Sequence, residues 1–223
     1  PARQPTIRDL LTHTAGFTYG VFGFTEVDQM YMKAGLMGDM TLKEFVTALG
    51  KIPLQYEPGS QWHYSVSVDI QGRLVEVLSG MSFGEFLQER LFGPLDMRDT
   101  SFFVGPDKQP RVAQLYKPKG VNAANFLAPS VEPGLEVADA WLNAGYFAQP
   151  KFESGGGGLL STARDYLRFS QMMLNGGELD GVRLLSRKTV ELESLFSNRS
   201  DVPASEQAQK PTQVGGLAAD GTD

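Results

Sequence analysis

The sequence predicts a helix-rich α+β fold with few strands, on three observations. Thr41 and Glu44, and again Ser82 and Glu85, stand at capping-box spacing ahead of apolar runs. Ile70, Leu74, Val77 and Leu78 recur at helical spacing across residues 66–79. Residues 100–153 follow neither period and hold Pro, Gly and short apolar pieces such as RVAQLY, which reads as short strands and irregular connections.

The elements follow in order. Thr6 can cap a short helix over Ile7–Thr12, which Gly16 stops. The Gly- and aromatic-rich GFTYGVFGF reads as a loop, and a helix follows over 26–36. The Thr41 box opens a helix that Gly50 closes, and EPGS is a turn. The 66–79 helix closes at Gly80. Ser82 opens the next one, with Phe83, Phe86, Leu87 and Leu91 on one face and GPLDM at its end. After the glycine run 155–158, Ser161 or Thr162 caps a strong helix containing Leu167, Met173 and Leu174, which Gly176 and Gly177 end. Ser186 caps a last helix, RKTVELESLF. Residues 1–196 read as one mostly helical domain. Residues 197–223 are polar, rich in Gly, Ala and Gln and free of aromatics, so they are expected to form a flexible tail.

Composition narrows the function. A net charge of -6 argues against a nucleic-acid partner, which selects a basic face. With no cysteine there is no disulfide, no thiolate nucleophile and no cysteine metal site. No run approaches the roughly 18 apolar residues of a membrane span, and no signal peptide is visible. The compartment stays unassigned. The chain starts Pro1-Ala2-Arg3 without a Met, and the expectation is a piece of something longer.

Several motifs invite chemistry. Gly80-Met81-Ser82-Phe83-Gly84 fits G-x-S-x-G, but a nucleophile elbow needs a strand before its serine, and here a helix precedes it. Ser82 already has work as a helix cap. The only histidines, His13 and His63, lack metal-ligand spacing, so neither a metal nor a cofactor is expected. Their bland roles are a helix C-terminal side chain for His13 and a turn residue for His63. No phosphate-loop Gly-Lys-Ser/Thr follows Gly155–Gly158, which reads as a close backbone approach or a positive φ. Such approaches often lie beside a ligand, and Gly156 is a candidate substrate-binding position. Lys188-Thr189-Val190 only echoes a Lys-Thr-Gly strand motif and is set aside. Tyr64 is either an aromatic at a helix entrance or a proton-transfer group. A tyrosine works as a base only when a neighbouring cation lowers its pKa from about 10.

Three blocks go further than chemistry: TIRDLLTHTAGF, YEPGSQWHYSVSVDIQGRLVEVLSGMSFGEFLQERLFGPLDM and SGGGGLLSTARDYLRFSQMMLNGGELDGVRLLS. Together, in this order over roughly residues 5–192, they resemble the serine β-lactamase-like family. That family includes class C β-lactamases, D-Ala-D-Ala carboxypeptidases and family VIII esterases. The resemblance implies the penicillin-recognising fold, an antiparallel sheet flanked by helices plus a helical region, with this chain holding mainly the helical region. It also implies acyl-enzyme chemistry on a small-molecule ester or lactam. The nucleophile would be the serine of a Ser-x-x-Lys motif, and a Lys-Thr-Gly-type strand would help stabilise the oxyanion. Tyr64-Ser65-Val66 matches the family's tyrosine motif, which makes Tyr64 the implied catalytic proton relay.

The departures matter as much. No Ser-x-x-Lys occurs in the 223 residues, and no Lys-Thr-Gly, His-x-Gly or Trp-x-Gly follows the last family-like helix. The chain alone is therefore expected to be inactive. Val66 stands where β-lactamases and carboxypeptidases usually place an Asn that can bond a substrate amide. That favours an esterase with an apolar acyl pocket, which Tyr19, Phe22 and Phe24 could line. The missing sheet is expected to bare apolar faces of the 66–79 and 162–175 helices, giving marginal stability or self-association. Alternatives are a β-lactamase or carboxypeptidase, a non-catalytic ligand-binding relative, a triad hydrolase using Ser82, and a complementing chain that supplies the missing motifs.

Overall fold

A computed structural model describes residues 1–36, 38–121, 132–138 and 146–197. The expected tail lies outside the described residues, apart from Ser197 at the end of the last helix.

Five helices occupy the first part of the chain: α1 (Ile7–Leu11), α2 (Glu26–Lys33), α3 (Leu42–Leu49), α4 (Ser67–Ser79) and α5 (Phe83–Leu87). Full capping boxes open α1, α2, α3 and α5. In α1 and α2 the returning acid is Asp9 or Asp28. α2 is shorter than its predicted 26–36. Gly35, at φ +62°, takes the left-handed turn that ends a helix, and its N–H donates to the Met32 carbonyl. α1 ends before Gly16, because His13 itself turns left-handed at φ +54°. Gly16 serves a different purpose: a Cβ there would stand 2.1 Å from the Tyr56 carbonyl oxygen.

α5 does not run on as a plain α-helix to Leu91. It passes into a π-turn over Gln88–Phe92, closed by the Gly93 N–H on the Gln88 carbonyl. A 3₁₀ turn at Gln109–Arg111 follows. Then come β1 (Tyr116–Pro118) and β2 (Leu135–Val137), paired antiparallel with Tyr116 opposite Val137. α6 (Ala163–Leu174) is capped by Thr162, whose hydroxyl accepts the Asp165 N–H. Gly176 and Gly177 both have positive φ and lead into the hairpin β3 (Glu178–Leu179) and β4 (Val182–Arg183). The hydroxyl of Ser186 accepts the Thr189 N–H as α7 (Arg187–Ser197) begins. The expectation of a helical protein with few strands holds.

The apolar side chains form two clusters. Tyr31, Leu36, Phe45, Leu49 and Val66 make the first, around α2, α3 and the start of α4. Phe92, Leu95, Met97 and Met172 make the second, joining the π-turn to α6. Burial of that many large side chains, each worth about 1.5–3 kcal/mol, is what holds the short helices in place. Apolar residues of α4 and α6 also face outward, as expected: Leu78 is 76% exposed and Leu174 is 81% exposed, with Val77, Tyr166 and Leu167 beside them in sequence or on the same helix.

Candidate functional site around Tyr64

Tyr64 reaches its place through backbone bonds between two loops. The His13 carbonyl accepts the His63 N–H at 2.9 Å, and the Thr14 carbonyl accepts the Gly59 N–H at 2.7 Å. The Gly16 carbonyl accepts the Gln55 N–H at 2.8 Å, and the Thr18 carbonyl accepts the Val66 N–H at 3.3 Å. These bonds lay the loop after α1 alongside the segment that leads into α4, so aromatics far apart in sequence meet.

The Tyr64 ring, 46% exposed, is surrounded by them. The Tyr19 ring is stacked on it at a 5° interplanar angle with centroids 5.5 Å apart. The His13 ring lies at 5.1 Å and the Phe22 ring at 6.1 Å, both tilted. Tyr19 and Phe22 meet at 5.3 Å, and Trp62 extends the group through His13 at 6.2 Å. Offset and tilted rings at these separations attract one another beyond simple burial. The structure thus brings Tyr19, Phe22 and Tyr64 together. Phe24, 91% exposed, stands out in solvent instead.

Beneath the ring is a polar layer. Ser65 and Ser67 are buried, and their hydroxyls share a hydrogen bond of 2.8 Å. The Ser65 hydroxyl also accepts the Ser67 N–H and lies 3.3 Å from His13 Nδ1. It therefore serves a free donor at the start of α4, which has no other side-chain cap at Val66. Burial pushes the His13 imidazole below its ordinary pKa. His63 is shifted the same way by burial, partly offset by the charge of Asp28, and its ring meets Tyr56 edge-on at 5.0 Å.

Asp69 in the first turn of α4 fixes the glycine run. It is fully buried, and its Oδ1 accepts the Ser154 hydroxyl at 2.5 Å and the Gly156 N–H at 3.2 Å. A Cβ on Gly155 would stand 2.2 Å from the Val68 carbonyl oxygen, so the close approach here is to α4 itself. Gly156 is exposed and sits beside the site, where a Cβ would lie 3.3 Å from both the Tyr19 hydroxyl oxygen and Asp69 Oδ2. Burial, then the charge of Asp69, then Tyr64, push the Tyr19 phenol above its ordinary pKa.

Val66 requires a correction. Its side chain is 0% exposed and packs in the first core cluster with Tyr31, Phe45 and Leu49, so it offers no surface to a substrate. The backbone turn at φ -69°, ψ 14° directs it inward as α4 begins. Ser82 is a helix cap: its hydroxyl accepts the Glu85 N–H, and its own N–H donates to Glu85 Oε2. The cavity beside it, about 470 Å³, is lined by Glu85, Phe102 and Glu153 among others and by no histidine. Among the described residues no cluster of His, Asp and Glu gathers to hold a metal, and no helix is long and apolar enough to cross a membrane.

His13, Trp62, Ser65 and Asp69 adjoin the candidate site without being singled out for it by the sequence, in which His13 reads only as a helix C-terminal side chain. Ser65 precedes α4 and Asp69 stands in its first turn, both within the same sequence block as Tyr64. The left-handed turn at His13 leaves no mark in the sequence.

The architecture is that of the β-lactamase and transpeptidase type. It matches the solved structure of EstCE1, a hydrolase with promiscuous acyltransferase activity, with a TM-score of 0.66 at 25% identity over 84% of this chain and 49% of that one. A family model described as Beta-lactamase matches residues 1–216, and the chain belongs to that family. An uncharacterized protein of Mycobacterium tuberculosis is 35% identical over 86% of this chain and 44% of its own length. Esterase EstB of Burkholderia gladioli is 31% identical over 73% of this chain and 43% of its own length. The chain therefore spans under half the length of these two relatives.

Proposed function

We propose that the chain is the tyrosine-bearing part of a serine carboxylesterase that works through an acyl-enzyme. The observation that carries the reading is Tyr64: a half-exposed phenol at the foot of α4, held by the rings of His13, Tyr19 and Phe22 at the family's tyrosine motif. In this reading a serine Oγ attacks the ester carbonyl carbon and gives up its proton through Tyr64. The same relay returns a proton to the leaving alkoxide, and the acyl group stays on the serine. Water then attacks the acyl-enzyme carbonyl carbon, its proton passes through the relay to the serine Oγ as the acyl–oxygen bond breaks, and the acid is released. The 223 residues hold no Ser-x-x-Lys, so the serine and lysine come from polypeptide outside them.

An ester is favoured over a lactam by the likeness to an esterase at 31% identity. The aromatic surface agrees with an apolar acyl group, since Phe22, against Tyr64, and Trp62, against His13, are both more than half exposed. The test is hydrolysis of p-nitrophenyl butyrate by the full-length gene product, with and without Tyr64→Phe. Loss of a proton relay lowers turnover by about 10²–10⁴-fold. An unchanged kcat in Tyr64→Phe would contradict the reading.

A further inference from the structure

We propose that His13 is the residue that positions Tyr64. The inference rests on the reading of Tyr64 as the proton-transfer group for its consequence, although its geometry stands apart from that reading. His13 holds Tyr64 from three sides at once. Its carbonyl accepts the N–H of His63, the residue before Tyr64. Its Nδ1 lies 3.3 Å from the hydroxyl of Ser65, the residue after. Its ring contacts the Tyr64 ring, with centroids 5.1 Å apart. Ser65 passes the restraint to the start of α4 through the Ser67 hydroxyl and N–H. Tyr64 is thereby tied to the end of α1 and the beginning of α4 through the backbone and side chain of one residue.

The backbone supports a role for that side chain. His13 sits at φ +54°, a conformation that glycine adopts freely and other residues adopt at a cost. A glycine would relax this turn and would lose both the Ser65 bond and the ring contact. Strain at a residue whose ring contacts Tyr64 and whose Nδ1 meets Ser65 points to a task for that side chain. Burial favours the neutral imidazole, whose Nδ1 either accepts the Ser65 O–H or donates to its oxygen according to the tautomer.

The experiment compares this chain with its His13→Gly, His13→Asn and Ser65→Ala variants by two-dimensional NMR of labelled tyrosine rings and backbone amides. Tyr64→Phe assigns the Tyr64 signals, and thermal melts run in parallel. In His13→Gly the Tyr64 ring and the Ser65 and Ser67 amides should shift while Tm stays near wild type, because glycine tolerates the turn. Asparagine also tolerates positive φ and carries an acceptor, so His13→Asn should restore the Ser65 and Ser67 amides. A merely structural role would lower Tm and disturb the spectrum throughout, without that selective recovery. Tyr64 signals unmoved in His13→Gly would overturn the proposal. Should His13→Gly not fold, Ser65→Ala takes its place: it should shift the Tyr64 and His13 signals, and unmoved signals there would overturn the proposal equally. Failure here leaves the proton-transfer reading intact, whereas an unchanged kcat in Tyr64→Phe removes that reading and leaves the positioning geometry standing.

Discussion

The Tyr19 and Tyr64 rings lie parallel, 5.5 Å apart at an interplanar angle of 5°. Tyr19 also packs against the first core cluster, so the stack ties a half-exposed ring to the interior. Tyr19→Leu should lose the stacking contribution of about 0.5–1.5 kcal/mol and release the Tyr64 ring. Tyr19→Phe should keep the stack. Urea midpoints of the two variants check this, and equal stability would mean the stack contributes nothing.

Asp69 connects the same tyrosine to the glycine run. Its charge adds to burial in raising the Tyr19 phenol. Asp69→Asn should bring the Tyr19 titration down towards its ordinary value while burial keeps it raised. A ¹³C titration of labelled tyrosine reads the direction, and a rise in the variant would exclude Asp69 as a contributor.

Gly155 is the position where the run cannot accept a side chain. With a Cβ 2.2 Å from the Val68 carbonyl oxygen, Gly155→Ala should push the run off α4. The expected loss is about 1–3 kcal/mol, the range for forced overpacking. A Cβ on Gly157 would meet nothing within 4 Å, so Gly157→Ala is the control. Thermal melts of the pair should separate clearly.

Acid should weaken the fold through Asp9. The Arg3 guanidinium, placed 2.7 Å from Oδ2, holds this carboxyl well below the usual range against burial, with the Thr6 hydroxyl and N–H helping. A lowered folded-state pKa means the unfolded chain takes up protons first. The stabilisation is full above the unfolded value of about 4 and is lost progressively as pH falls below it. Asp28 acts in the same sense: burial alone would raise it, but bonds from Thr18 and Thr25 outweigh that. Urea midpoints should fall between pH 5 and pH 3 by less in Asp9→Asn than in wild type. Parallel pH curves would rule Asp9 out.

Exposed apolar side chains on α6 should be replaceable. Leu174 is 81% exposed, so Leu174→Glu should change stability by no more than about 0.5 kcal/mol. Sedimentation of the same variant tests whether that face associates, since a charge there should abolish any concentration-dependent dimer.

Local signals were the most readable. The boxes at Thr41–Glu44 and Ser82–Glu85 depend on four consecutive residues, and both formed. The end of α2 is also written locally, in Gly35, whose positive φ closes the helix short of the expected residue 36. At the site, the tyrosine motif pointed to the segment where Tyr19, Phe22 and Tyr64 meet, while Val66 lies in the core. Two residues along a helix entrance, the side-chain direction depends on one backbone turn that no periodicity encodes. His13 was hidden for the same reason: its left-handed φ and its bond to Ser65, 52 positions away, arise only once the two loops are joined.

The central claim is that these residues supply the tyrosine of an acyl-transfer site and not its nucleophile. Labelling the 223-residue chain with a fluorophosphonate probe, followed by intact mass and peptide mapping, tests it most directly. The account predicts no adduct. A stoichiometric adduct on Ser82, or on any other serine of this chain, would contradict it.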